Sequence, residues 1–126
     1  LKKSRLEEGR FVSLDTSNWN LLWSHALKKY MNCVYLVVGK DKVFVAEYEN
    51  IACGVGLRCF RTSDGMALWE ADVSGINVDH SLYSNYVTLR RIENYVILIG
   101  HALAGDYVET FKDEDGSTVS KWQATD

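Results

Sequence analysis

A hairpin that closes on tryptophan recurs along this chain, and the recurrence limits the available folds more than any other feature. Leu57-Arg-Cys-Phe60-Arg-Thr-Ser-Asp64-Gly65-Met-Ala-Leu68-Trp69 reads as a short strand, a tight Asp-Gly turn and a second strand ending on Trp. Upstream, Leu14-Asp15-Thr-Ser-Asn18-Trp19-Asn-Leu-Leu22-Trp23 keeps the nine-residue interval that separates Phe60 from Trp69. Downstream, Phe111-Lys-Asp113-Glu-Asp115-Gly116-Ser-Thr-Val-Ser-Lys-Trp122 reads as the same element with two extra residues. The Trp-to-Trp intervals are 46 and 53 residues.

Periods of roughly 40–50 residues belong to β-propeller blades. The rest of each period agrees. Cys33-Val-Tyr-Leu-Val-Val38 and Lys42-Val-Phe-Val-Ala46 flank a Gly39-to-Asp41 turn. Tyr86-Val-Thr-Leu-Arg90 and Tyr95-Val-Ile-Leu-Ile99 flank Ile92-Glu-Asn94. Both pairs are rich in β-branched and aromatic residues and predict strands. A full period thus holds four strands, and the first holds only the last two. The expected fold is all-β: antiparallel four-stranded meander blades, about two and a half of them, in one domain spanning 1–126. The blade-like repeats fall at about 10–28 (partial), 33–73 and 84–123. A β-sandwich or barrel of about ten strands is the alternative. The segment from Asn20 to Met31 also carries partial helical spacing at Leu21, Leu22, Ala26 and Leu27. A strand to about His25 is preferred, because Met66 to Val73 reads as its counterpart.

The hairpins resemble the Trp-docking motif of the PQQ-like (quinoprotein alcohol dehydrogenase-like) propellers, roughly A-x-D-x-x-T-G-x-x-x-W. Asp15 and Trp23 keep its spacing of eight, with Asn18-Trp19 in place of Thr-Gly. Gly65 and Trp69 match in the second copy, where Arg61 stands in place of the Asp. Gly116 and Trp122 match in the third, across the two-residue expansion. The resemblance implies partial propeller blades in which Trp23, Trp69 and Trp122 lay their rings on a neighbouring blade. It also implies an extracytoplasmic (periplasmic or secreted) location. Members with dehydrogenase activity hold the quinone on the axis of a complete propeller, against a disulfide between adjacent cysteines and beside a calcium ion. This chain has no adjacent Cys pair and too few blades for a closed axis, so no cofactor is expected.

Candidate chemistry outside the repeat is sparse. Cys33, Cys53 and Cys59, at spacings of 20 and 6, fit no zinc pattern. Packing as small hydrophobes is the preferred reading, with a Cys53–Cys59 or Cys33–Cys59 disulfide as the alternative. Asp113-Glu-Asp115-Gly116-Ser117 opens like a calcium loop, but its twelfth position is Ala124, which cannot ligate, so an acidic turn is expected. Cys53-Gly54-Val55-Gly56 starts like a phosphate loop, yet Cys59 stands at the third glycine position and no Walker lysine follows. His25, His80 and His101 form no metal pair. Asp79-His80 is the best acid/base suggestion, with Ser81 and Ser84 nearby but no nucleophile elbow around them. No residue is assigned as catalytic, cofactor-binding or metal-binding.

Net charge is −3 with both signs interspersed, which argues against a nucleic-acid footprint. No apolar run approaches the roughly 20 residues of a membrane-spanning helix. No signal peptide is legible, and a start at Leu1 rather than Met is what removal of an N-terminal segment would leave. An open array of two and a half blades exposes strand edges and unpaired faces. The expected function is therefore a non-enzymatic binding or assembly module: a homo-oligomer, part of a larger propeller, or a holder of a protein partner. A dehydrogenase-propeller fragment or a hydrolase is the enzymatic alternative.

Overall fold

The computed structural model describes residues 9–28, 33–48, 55–73, 86–101 and 106–124. They form ten strands: β1 (Arg10–Leu14), β2 (Leu21–Ala26), β3 (Cys33–Val38), β4 (Lys42–Tyr48), β5 (Val55–Arg61), β6 (Ala67–Asp72), β7 (Tyr86–Ile92), β8 (Tyr95–His101), β9 (Tyr107–Lys112) and β10 (Thr118–Gln123). The ambiguous segment after Asn20 is strand β2, not a helix. Among the described residues no helix is long and apolar enough to cross a membrane.

Three antiparallel sheets result. β1 and β2 make a two-stranded half-sheet, β3-β4-β5-β6 the middle sheet, and β7-β8-β9-β10 the last sheet, each in simple meander order. This is the expected count of two and a half. The repeats superpose in register: Lys42↔Arg61 in the middle sheet corresponds to Tyr95↔Lys112 in the last.

The two central strands of the middle sheet, β4 and β5, are buried on both sides. In β4, Phe44, Ala46 and Tyr48 join Leu57 and Cys59 of β5 in a core shared with Val87, Leu89, Val96, Leu98, Tyr107 and Phe111 of the last sheet. The alternate residues Val43 and Val45, with Phe60, pack against Phe11, Trp23 and Leu27 of the half-sheet and its flank. Period-two alternation therefore feeds two cores from one sheet. Each sheet has a front face, turned to the next sheet in the chain, and a back face, turned to the previous one.

Candidate functional site

The three outer hairpins turn alike. Each runs seven positions from the last paired residue of one strand to the first of the next: Leu14↔Leu21, Phe60↔Ala67 and Phe111↔Thr118. In each turn an Asx side chain accepts the backbone N–H two residues on: Asn18 from Asn20, Asp64 from Met66 and Asp115 from Ser117. The residue after it is left-handed: Trp19 at φ 63°, Gly65 at φ 74° and Gly116 at φ 78°. That residue donates its N–H to the carbonyl four positions back, of Asp15, Arg61 and Lys112 respectively. A register shift follows in all three hairpins, between Ser13 and Leu14, between Cys59 and Phe60, and between Thr118 and Ser120. Such a bulge re-aims the next side chain towards the neighbouring sheet.

The re-aimed residue is Trp in the first two copies. Trp23 donates its indole N–H to the Thr62 carbonyl at 2.9 Å, and Trp69 donates to the Asp113 carbonyl at 2.8 Å. The rings lie on the turn glycines of the next sheet: a Cβ on Gly65 would stand 2.5 Å from Trp23 Cδ2, and one on Gly116 2.4 Å from Trp69 Cε3. Only glycine tolerates both the φ and the contact.

The third copy departs from the sequence reading. Ser13↔Trp23 and Cys59↔Trp69 correspond to Thr110↔Ser120, so Ser120 occupies the docking position. Trp122 pairs with Val108, two residues further along, and is 59% exposed. The turn is not expanded. Counting from Trp to Trp misplaced the extra residues, because the turn length is set by the Asx and left-handed positions. Nor does the second strand end on its Trp: β6 runs on from Trp69 to Asp72.

Charged latches reinforce both contacts. Glu47, fully buried, receives Arg58 Nε and Nη2 at 2.5 and 2.7 Å and the Lys28 N–H at 2.8 Å. Arg58 Nη2 also reaches the Ala26 carbonyl, and the guanidinium lies over the rings of Phe11 and Phe60. At the second contact Arg91 joins Asp41 at 2.8 Å and Asp113 at 2.6 Å, across Phe44. The Arg91 hydrogen bond holds the Asp41 carboxyl below its ordinary range, and Asp41 and Asp113 in turn hold Arg91 more firmly protonated. Glu109, also buried, accepts from Thr118 Oγ at 2.7 Å through Oε2, while its Oε1 meets no hydrogen-bond donor among the described residues.

Of the residues singled out in the sequence, those that are described sit at separate places in the fold. Asp79, His80, Ser81, Ser84 and Cys53 lie outside the described residues. His25 stacks on Phe60 at 4.3 Å and lies 2.6 Å from the Gly65 carbonyl, an inter-sheet packing role. His101 closes β8 and Cys33 opens β3, in different sheets. Asp115 spends one oxygen on Ser117 and Asp113 faces Arg91, so the acidic turn divides its carboxylates between two tasks. Among the described residues no group of three His, Cys, Asp or Glu is placed to hold a metal ion. Two open depressions, of about 390 and 220 Å³, are lined by Asp113 in one case and Arg58 in the other, and both groups are engaged in the latches.

Cys59 is a fully buried free thiol, pushed up to about 12 by desolvation. Burial also raises Tyr107 to about 12, with the Glu109 charge adding to it. The folded state holds both protons more tightly than the unfolded chain, whose values are 9.0 and 10.0. Their contribution to stability is whole below about pH 9 and is lost as pH rises towards about 12. Melting temperatures should hold up to about pH 9 and fall from there to about pH 11, and a Cys59→Ala/Tyr107→Phe variant should flatten that slope.

What stands out as a site is the pair of uncovered faces. On the last sheet the front positions Ile97, Ile99 and Val108 are only half-buried, and Trp122 is exposed. Their counterparts in the middle sheet, Phe44, Ala46, Leu57 and Ala71, pack under the last sheet. On the half-sheet the back positions Val12, Leu14 and Leu21 are exposed, whereas Phe60, the counterpart of Leu14, is buried.

Neither a family model nor a curated protein sequence matches the chain. Solved structures do. The quinohemoprotein alcohol dehydrogenase ADHIIG of Pseudomonas putida HK5 superposes with a TM-score of 0.68 at 17% identity, over 89% of this chain and 17% of that one. The quinohemoprotein alcohol dehydrogenase of Comamonas testosteroni gives 0.65 at 17%, over 91% and 18%. BamB of Moraxella catarrhalis gives 0.52 at 16%, over 86% and 28%. The chain thus spans between about a sixth and just over a quarter of these structures. At such identities the likeness establishes architecture, and the sheets described above are β-propeller blades, two complete and one half.

Proposed function

We propose that the chain is a non-enzymatic assembly module, which holds a protein surface on the open faces of its blade array. One observation carries this reading. Leu14, the counterpart of buried Phe60, lies exposed on the first blade beside Val12 and Leu21, and Trp122, the counterpart of half-buried Ala71, lies exposed on the last. Contiguous exposed apolar positions mark interaction sites in soluble proteins. The charged latches point the same way, because the Lys28 N–H on Glu47, Arg58 on the Ala26 carbonyl and the Arg91–Asp41 pair join one blade to the next. An extracytoplasmic location is part of the proposal and rests on the likeness to quinoprotein propellers.

The enzymatic alternative, a piece of a quinone-dependent dehydrogenase, makes a different prediction. A ligand bound only by the folded state raises the melting temperature in proportion to ln(1 + [L]/Kd). Added pyrroloquinoline quinone with calcium should leave the melting temperature unchanged for an assembly module. A concentration-dependent rise would overturn the reading in favour of a cofactor site.

A further inference from the structure

The two ends of the array carry a reciprocal exchange. Inside the chain, each contact seats a large side chain from one blade against a glycine of the next: Trp23 on Gly65, then Trp69 on Gly116. At the open front face the strand position that should carry the Trp holds Ser120. At the open back face the turn position that should be glycine holds Trp19, 68% exposed and left-handed at φ 63°. The built Cβ vectors at Gly65 and Gly116 run into the incoming Trp rings. Because Trp19 has the same turn geometry, its side chain leaves the turn towards the volume that an incoming Trp would fill. A Trp at position 120 would collide with it, and Ser120 leaves that volume empty.

We propose that the front face of the last blade receives the Trp19 turn of a second copy of this chain. The Trp19 indole sits against Ser120 of the other copy, so the internal Trp-on-Gly contact is kept with its large and small members interchanged. Val12, Leu14 and Leu21 of the incoming half-blade then cover Val108 and Trp122, as the back face of each later blade covers the blade before it. The contact is heterologous, so it must close on itself or grow. Each copy supplies three blade positions, so two copies make six. That lies within the roughly 4–8 blades of known propellers, whereas three copies would make nine. The assembly is a head-to-tail dimer with two identical contacts. A left-handed φ is uncommon for a bulky residue and persists where the surroundings make use of it. Docking on a second copy supplies that use.

The inference rests on the assembly reading above, but the two fail differently. A melting-temperature rise with quinone and calcium would overturn assembly as the function and leave the dimer standing. A monomeric chain would overturn the dimer alone. The experiment is light scattering behind a sizing column, over a concentration series, on four forms: the 126-residue chain, Trp19→Gly, Ser120→Trp and the double variant. The chain should run at twice 14.3 kDa. Trp19→Gly removes the inserted indole and Ser120→Trp drives two indoles together, so each should weaken association by roughly 30-fold or more, as loss of a central anchor does. The double variant restores a Trp-on-Gly contact and should return to within a few-fold of the parent. Both altered positions are exposed, and each single variant should melt no lower than the monomeric parent. A parent mass of one chain throughout, single variants that still dimerise, or a double variant no tighter than the singles would each overturn the proposal.

Discussion

Arg58→Met is expected to destabilise the chain by about 3–5 kcal/mol, because it strands a charge in the core. Glu47 is fully buried between the half-blade and the middle blade, and Arg58 supplies two of its hydrogen bonds. Removing the guanidinium leaves the carboxylate with the Lys28 N–H, and deprives the Ala26 carbonyl of its donor. The stacking over Phe11 and Phe60 is lost as well. For a chain this size the loss corresponds to a fall in melting temperature of roughly 10–20 °C. Replacing both partners should behave differently. Glu47→Leu/Arg58→Met removes the buried charge along with its partner, and should recover most of the loss. Urea midpoints of the two variants separate the outcomes. If the single variant melts like the parent, the pair is not holding the first contact together.

Gly116→Ala should be at least as damaging, by about 4–7 kcal/mol. The new methyl would lie 2.4 Å from Trp69 Cε3 and 2.7 Å from Cδ2. Ring and turn cannot both stay, and expelling a seated Trp costs about as much as truncating it, about 3–5 kcal/mol. The left-handed backbone at φ 78° adds about 1–2 kcal/mol for any residue with a Cβ. The indole bond to the Asp113 carbonyl goes with the ring. Gly56→Ala is the control. Its methyl would come no nearer than 3.9 Å to Lys28 Nζ and 4.0 Å to Asp72 Oδ1, ordinary contacts. The control should cost less than about 1 kcal/mol, within the range of ordinary substitutions. Intrinsic Trp fluorescence during denaturation reports the two cases directly, because Gly116→Ala should expose Trp69 in the folded state.

The repeat was legible in the sequence because its signals are local. Asn18, Asp64 and Asp115 each precede the left-handed residue, and Trp23 and Trp69 follow it at a fixed distance. Those features lie within one hairpin and survive without knowledge of the neighbours. The same local signal was enough to show that Ser120, not Trp122, aligns with Trp69. The Trp-to-Trp interval hid it, since it counts to the conspicuous residue rather than from the turn. The latches were not legible. Glu47 and Arg58 come together only through the register of β4 with β5, and Arg91 meets Asp41 only when two sheets stack. No spacing in the chain encodes that stacking. That the array would leave unpaired faces followed from the blade count, but that Val12 and Leu14 line one of them did not, because an alternating strand looks the same whether its apolar face is covered or bare.

The three hairpins also differ from one another in a way that sorts them. Each has a seat, at position 19, 65 or 116, and a plug, at position 23, 69 or 120. The first hairpin has an occupied seat and a Trp plug, the second an empty seat and a Trp plug, the third an empty seat and no plug. During folding the middle hairpin cannot settle behind the first, because two indoles would compete for one place. The third carries no Trp to plug into either of the others. Apart from Trp23 reaching Gly116, which would pass over a whole sheet, the only Trp-on-Gly pairings left are first to second and second to third. Sequential order along the chain is therefore written into single side chains at the blade rims. A duplicated hairpin with identical seats and plugs would lack that address and could stack in any order.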